Sequence, residues 1–224
     1  MPSTLVHMAL AGLFGAALLG PELDRRAVAL LAGLCAFADL DAVVGLVVTG
    51  AHRAAFHTLL IPLAAAALLA YDRRSGGRLR ARYGGRGERL AWTGVVVYAF
   101  AVIGPDLVWN GVNVLYPLHD QFVALSGEVR VSNQRGLIQT VVDLSPAEES
   151  GGGGGSSLGA AVDSVSRGNT SQTQYATGVN PSPGEPDTGP VERTFPVARD
   201  GLDLLLLVSG TVVTGARLWL NGRN

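Results

Sequence analysis

The chain has 224 residues, of which 48% are hydrophobic and 16% charged, and its mean hydropathy is +0.30. This composition excludes a soluble bundle, because the apolar residues come in long runs rather than stripes opposed by charged faces. The formal net charge of −1 gives no reason to expect a nucleic-acid partner.

Five apolar runs follow one another, at 4–20, 27–48, 55–71, 90–116 and 201–220. Each is near the ~20 residues that cross a ~30 Å hydrocarbon core. They predict an all-α polytopic membrane protein with about five transmembrane helices. Arg25 and Arg26 follow the first run and no basic residue precedes it, so it reads as a retained helix rather than a cleaved leader. Cys35 lies inside the second run as the chain's single cysteine, which leaves no intrachain disulfide and reads as a packing residue.

Between the third and fourth runs lies a short loop with seven arginines: 73, 74, 78, 80, 82, 86 and 89. Short arginine-rich loops stay cytoplasmic. Alternation then puts the N-terminus outside the cell (plasma) membrane, together with residues 49–54 and 118–200, and the C-terminus inside.

The domain reading follows from this. Residues 1–120 form a four-helix transmembrane unit, 121–200 an acidic extracytoplasmic segment, and 201–220 the last span. Within the outer segment, 127–143 reads as a β-hairpin around Ser-Asn-Gln-Arg-Gly. Residues 145–192, with GGGGGSS and much Ser, Thr and Pro, read as a disordered linker. All 17 basic residues are arginine, and 118–200 is acidic, a combination that fits a halophilic microbe.

Three aspartates stand well inside the apolar runs: Asp39, Asp41 and Asp106. Each costs roughly 3 kcal/mol near the centre of a spanning helix, so such a residue needs a partner or a task. Asp39 and Asp41 are about 200° apart on a regular helix and can share a site only where that helix is distorted. Asp106 opens a polar stripe with Asn110 and Asn113, and Pro105 frees a carbonyl one turn back.

The four histidines, His7, His52, His57 and His119, all fall at the outer ends of their helices under this topology, beside the same aspartates. Histidine and carboxylate without cysteine is a ligand set for zinc, manganese or iron. His7, Asp39, Asp41, His52, His57 and Asp106 are therefore the expected metal ligands for a zinc or manganese ion. Asp41 is also the candidate general base. Arg53 is a candidate clamp for a phosphate or carboxylate, or else the ion-pair partner of Asp39 or Asp41.

Residues 1–120 resemble the YdjM-like family of predicted membrane-bound metal-dependent hydrolases, also described as LexA-binding inner-membrane proteins. The resemblance rests on TLVHMAL with His7, on ADLDAVVG with Asp39 and Asp41, on HRAAFHT with His52, Arg53 and His57, and on PDLVWNG with Asp106. Val102 stands where the family pattern places a further histidine. The resemblance implies a hydrolase working at the outer membrane face, with a lipid-like or phosphoester substrate suited to that position. An ion or proton carrier, or a membrane anchor with a structural metal, are the alternative expectations.

Overall fold

In the computed structural model, the described residues are 3–48, 50–109, 111–125, 129–134, 136–139, 168–173, 175–179 and 193–223. They are mostly helical, and four helices are long and apolar enough to cross a membrane: Thr4–Glu22, Arg25–Val44, Arg78–Trp109 and Gly201–Asn221.

The first, α1 (Thr4–Leu19), is capped by Ser3, whose Oγ accepts from the Val6 N–H, and it ends in a tight turn at Gly20–Glu22. Asp24 caps α2 (Arg25–Ala38) by accepting from the Ala27 N–H at 2.8 Å. The helix then breaks at Asp39 and Leu40 and resumes as one turn, α3 (Asp41–Val44). Residues 45–48 and 50–59 form turns, and α4 (Leu60–Arg74) starts five residues later than the apolar run suggested.

Next, α5 (Arg78–Val97) carries the arginine-rich stretch, kinks at Gly84 and runs into a wide π-helical turn at Tyr98–Ile103. It continues as α6 (Gly104–Trp109). The run expected to stay helical to 116 therefore stops at Trp109; Gly111 adopts φ 91° and the chain turns away. Beyond it, β1 (Val129–Ser132) and β2 (Gly136–Gln139) pair antiparallel, with Val129 opposite Gln139. The remainder of 127–143 lies outside the described residues. The last helix, α7 (Gly201–Asn221), is capped by Asp200.

The bundle centres on α1, which packs against α2, α5 and α7. Small residues permit the tightest approach. A Cβ placed on Gly210 of α7 would lie 2.5 Å from the Ala9 carbonyl of α1, and Gly12 stands equally close to Thr214. Backbones that meet this closely gain packing contacts that need no water-driven force. The core beneath the site is Leu31, Cys35, Ala38, Val97, Ala101 and Val102. Cys35 is buried there, without a disulfide.

Polarity is inverted relative to a water-soluble protein. Leu63, Leu68, Phe100, Leu205, Val212 and Trp219 face outward, each 60% or more exposed, while His7, Asp41, Arg53, His57 and Asp106 are buried. A hydrocarbon solvent stabilises that distribution and water does not. At the arginine-rich end, Arg86 pairs with Asp24 at 2.7 Å and Arg89 with Glu22, tying the start of α5 to the α1–α2 turn.

Candidate functional site

The break after Ala38 solves the geometric problem of Asp39 and Asp41. On a regular helix they would diverge; here Asp39 ends α2 and Asp41 opens α3, so both reach the same end of the bundle. Asp39 accepts from the Thr4 hydroxyl of α1. Thr4 and His7 are three apart on one helix face, so that spacing could have revealed Thr4.

Asp41 is fully buried, and both its oxygens accept hydrogen bonds. The His52 Nδ1–H donates to Oδ1 at 2.8 Å; the His57 Nδ1–H at 2.7 Å and the Arg53 backbone N–H at 2.8 Å donate to Oδ2. These bonds orient the two imidazoles, as an outer carboxylate does beside a ligating histidine. Oδ1, with one bond accepted, keeps a second lone pair, which the expected roles of metal ligand and general base would use.

His7 is held in a similar way from the opposite side. Pro105 has no N–H to offer the Ala101 carbonyl four residues back, and the His7 Nδ1–H donates there at 2.7 Å. A carbonyl can only accept, so the tautomer is fixed and the Nε2 lone pair of His7 faces Asp106 Oδ1 at 3.8 Å. With Nδ1 bonded to Asp41, His57 turns its Nε2 inward, 3.2 Å from Asp106 Oδ2 and 3.6 Å from Asp39 Oδ1. His57 Nε2 is buried and has no hydrogen-bond partner among the described residues.

Two imidazole Nε2 atoms and two carboxylates thus face one another, a donor set that suits a cation. Ligand atoms at 2.0–2.2 Å from one ion are roughly 3.0–3.5 Å apart in octahedral or tetrahedral geometry. The His57 pairs at 3.2 and 3.6 Å are close to that, and the His7 pair at 3.8 Å is looser. Among the described residues, no three His, Cys, Asp or Glu side chains close tightly enough to make a finished cage. The donor chemistry and the orphaned His57 Nε2 are compatible with a divalent ion, which His7, Asp39, His57 and Asp106 would hold.

Arg53 stands beside this group. Its backbone has φ 64°, unusual for a side-chain-bearing residue, and is fixed by the Asp41 carboxylate and by the Asn113 N–H, which donates to its carbonyl at 3.0 Å. Its Nη2 donates to Asp106 Oδ1 at 2.7 Å, so its ion-pair partner is Asp106, not Asp39 or Asp41. His52, the last expected ligand, points its Nε2 away from its Asp41 contact and lies in the wall of the adjoining cavity. His119 is exposed. The Asn113 side chain donates to Asp120, not to the site, and Asn110 lies outside the described residues.

A roof comes from the segment between α6 and α7. Residues 168–173 and 175–179, expected to be disordered linker, are pinned here: the Thr170 hydroxyl donates to Asp120 Oδ2 at 2.6 Å, and the Phe122 N–H to the Gly168 carbonyl at 2.8 Å. Those hydrogen bonds, that of Asn113 and the charge of His119 overcome partial burial and hold the Asp120 carboxyl below its ordinary value. The rest of 145–192 lies outside the described residues. Tyr175 lies over Arg53, 4.9 Å from guanidinium carbon to ring centroid, and edge-on to His52. Residues 176–179 and 194–197 close a cavity of about 620 Å³ whose floor is His7, Asp39, His52, Arg53 and Asp106. No feature of the linker composition pointed to Tyr175.

Compared with known protein families, with curated proteins and with solved structures, the chain matches none.

Proposed function

We propose that the protein is a membrane-embedded, metal-dependent hydrolase with its site at the outer face, as the YdjM-like resemblance implies. The observation that carries this reading is the convergence of His7 Nε2, His57 Nε2, Asp39 and Asp106, with both imidazoles locked from behind by Ala101 and Asp41. A zinc or manganese ion held there supplies Lewis acidity toward a scissile oxygen and lowers the pKa of a water. Asp41 keeps the imidazoles aimed, Thr4 keeps Asp39 aimed, Arg53 balances the charge of Asp106, and the roof keeps bulk water out.

A lipid-like or phosphoester substrate suits this position. An apolar groove of about 710 Å³ runs between α2, α4 and α5, lined by Leu30, Leu34, Ile61, Leu68 and Leu90. Tyr98 also lines it, and its hydroxyl donates at 2.7 Å to the carbonyl of Phe56, next to His57. A carrier, the other expectation, needs polar groups through both leaflets, and α4 offers none between Leu60 and Ala70.

Purified protein should contain about one zinc or manganese per chain. A chelator should abolish hydrolysis of an ester, phosphoester or amide presented at the outer surface, and added metal should restore it. Protein that takes up no divalent metal sinks the reading.

In the full topology, five spans put the N-terminus outside and the C-terminus in the cytoplasm. Helix α4 has 15 residues, about 22 Å at 1.5 Å each, and completes its crossing through the turns before it. In a Cys35→Ala background, Ala160→Cys should react with an impermeant thiol reagent applied outside, and Gly76→Cys should not. The opposite labelling pattern reverses the orientation.

A further inference from the structure

The site described so far assigns one N–H group of Arg53, the one given to Asp106. The guanidinium is 1% exposed, and its Nε and Nη1, which carry three N–H donors, have no acceptor among the described residues. Leaving charged donors buried and unpaired is costly, more so than for neutral ones. The surrounding fold nevertheless goes to some length to keep them there. The backbone is held at positive φ, the Arg53 N–H and carbonyl are both bonded, and Tyr175 covers the group. An arginine used only to neutralise Asp106 could do so from a relaxed backbone with its remaining donors in water.

Resting on the hydrolase reading, we propose that Arg53 is the phosphoryl-binding group of the cavity, and that the substrate is a phosphoester whose phosphoryl oxygens fill the empty donors of Arg53 beneath Tyr175. Charge supports an anion only in the loaded site. Asp39, Asp41 and Asp106 against Arg53 leave two negative charges, which a divalent ion cancels, so phosphate binding requires the metal. Geometry favours phosphoryl over carboxylate. Asp106 touches both Arg53, at 2.7 Å, and His57, at 3.2 Å, so the arginine and the metal donors flank one carboxylate from two directions. A tetrahedral phosphoryl group presents oxygens in both directions at once, whereas a carboxylate offers two in one plane. The source is either a phospholipid headgroup, reached from the bilayer, or a soluble phosphoester, reached from outside.

The test uses full-length, metal-loaded protein in neutral detergent, with inorganic phosphate as the probe followed by calorimetry and by phosphorus NMR. Phosphate should bind the loaded protein and not the chelated one. Arg53→Lys should weaken it at least tenfold at unchanged metal content. Tyr175→Ala, which leaves the Arg53–Asp106 pair in place, should weaken it several-fold and decides the matter if Arg53→Lys does not fold. Glycerol phosphate and phosphatidylglycerol vesicles compete as the two sources, and displacement by either supports the proposal and names the source. Full metal occupancy with no phosphate binding, displacement by neither competitor, or affinities unchanged in the variants overturns the phosphoryl site and leaves the hydrolase reading standing. Failure of metal binding itself overturns both.

Discussion

His57→Ala should empty the proposed metal site. Its Nε2 lies between Asp39 and Asp106, so its loss would remove a proposed ligand and open the gap between the two carboxylates. Asp41→Asn gives the internal scale. It removes only the group that aims His57 and His52, and such outer partners are worth roughly 10–100-fold in metal affinity. His57→Ala should cost more than Asp41→Asn, leaving well under about a tenth of the chains loaded at a metal concentration that fills the wild type. Metal content by elemental analysis after gel filtration, compared across the three proteins, checks the order. Equal occupancy in His57→Ala and wild type would remove His57 from the site.

Asp106→Ala should be the most destabilising single change in the bundle. It strips Arg53 of the acceptor for Nη2 and leaves a buried guanidinium with no anion at all. Breaking a buried pair from one side costs about 3–5 kcal/mol, mostly from the charge left behind. The double variant Arg53→Met with Asp106→Leu removes both charges and should regain most of that loss in thermal unfolding, while binding no metal. If Asp106→Ala alone unfolds as the wild type does, the pair contributes nothing to stability.

Most of the framework was legible in the apolar runs, since a stretch near 20 residues without charge has few other fates. The convergence of His7, Asp39, His57 and Asp106 was legible too, because aspartate and histidine are costly in such stretches and need partners. Three features were not. The break at Asp39–Leu40 has no glycine or proline to announce it; it is held by side-chain bonds to Thr4, His52 and His57 that only the fold brings near. The orienting role of Asp41 toward His52 and His57 rests on tertiary hydrogen bonding. The roof hides in a segment whose composition suggests no packing, yet Asp120 and Thr170 lie fifty residues apart and meet.

The wide turn at Tyr98–Ile103 sets the rotational phase of everything after it. The Gly104 N–H reaches back five residues, to Ala99, so this stretch of helix fits in one residue more than an ordinary turn. Each residue of an α-helix advances the side chains by about 100°. Below the turn, Val97 is in register with the core, and above it Asp106 is aimed at His57. The same sequence wound as an unbroken α-helix could satisfy one of these but not both, since aligning the core would swing Asp106 about a quarter of a circle toward lipid. The surplus residue acts as a phase shifter, letting one continuous rod present an apolar side to its neighbours and a carboxylate to His57 and Arg53.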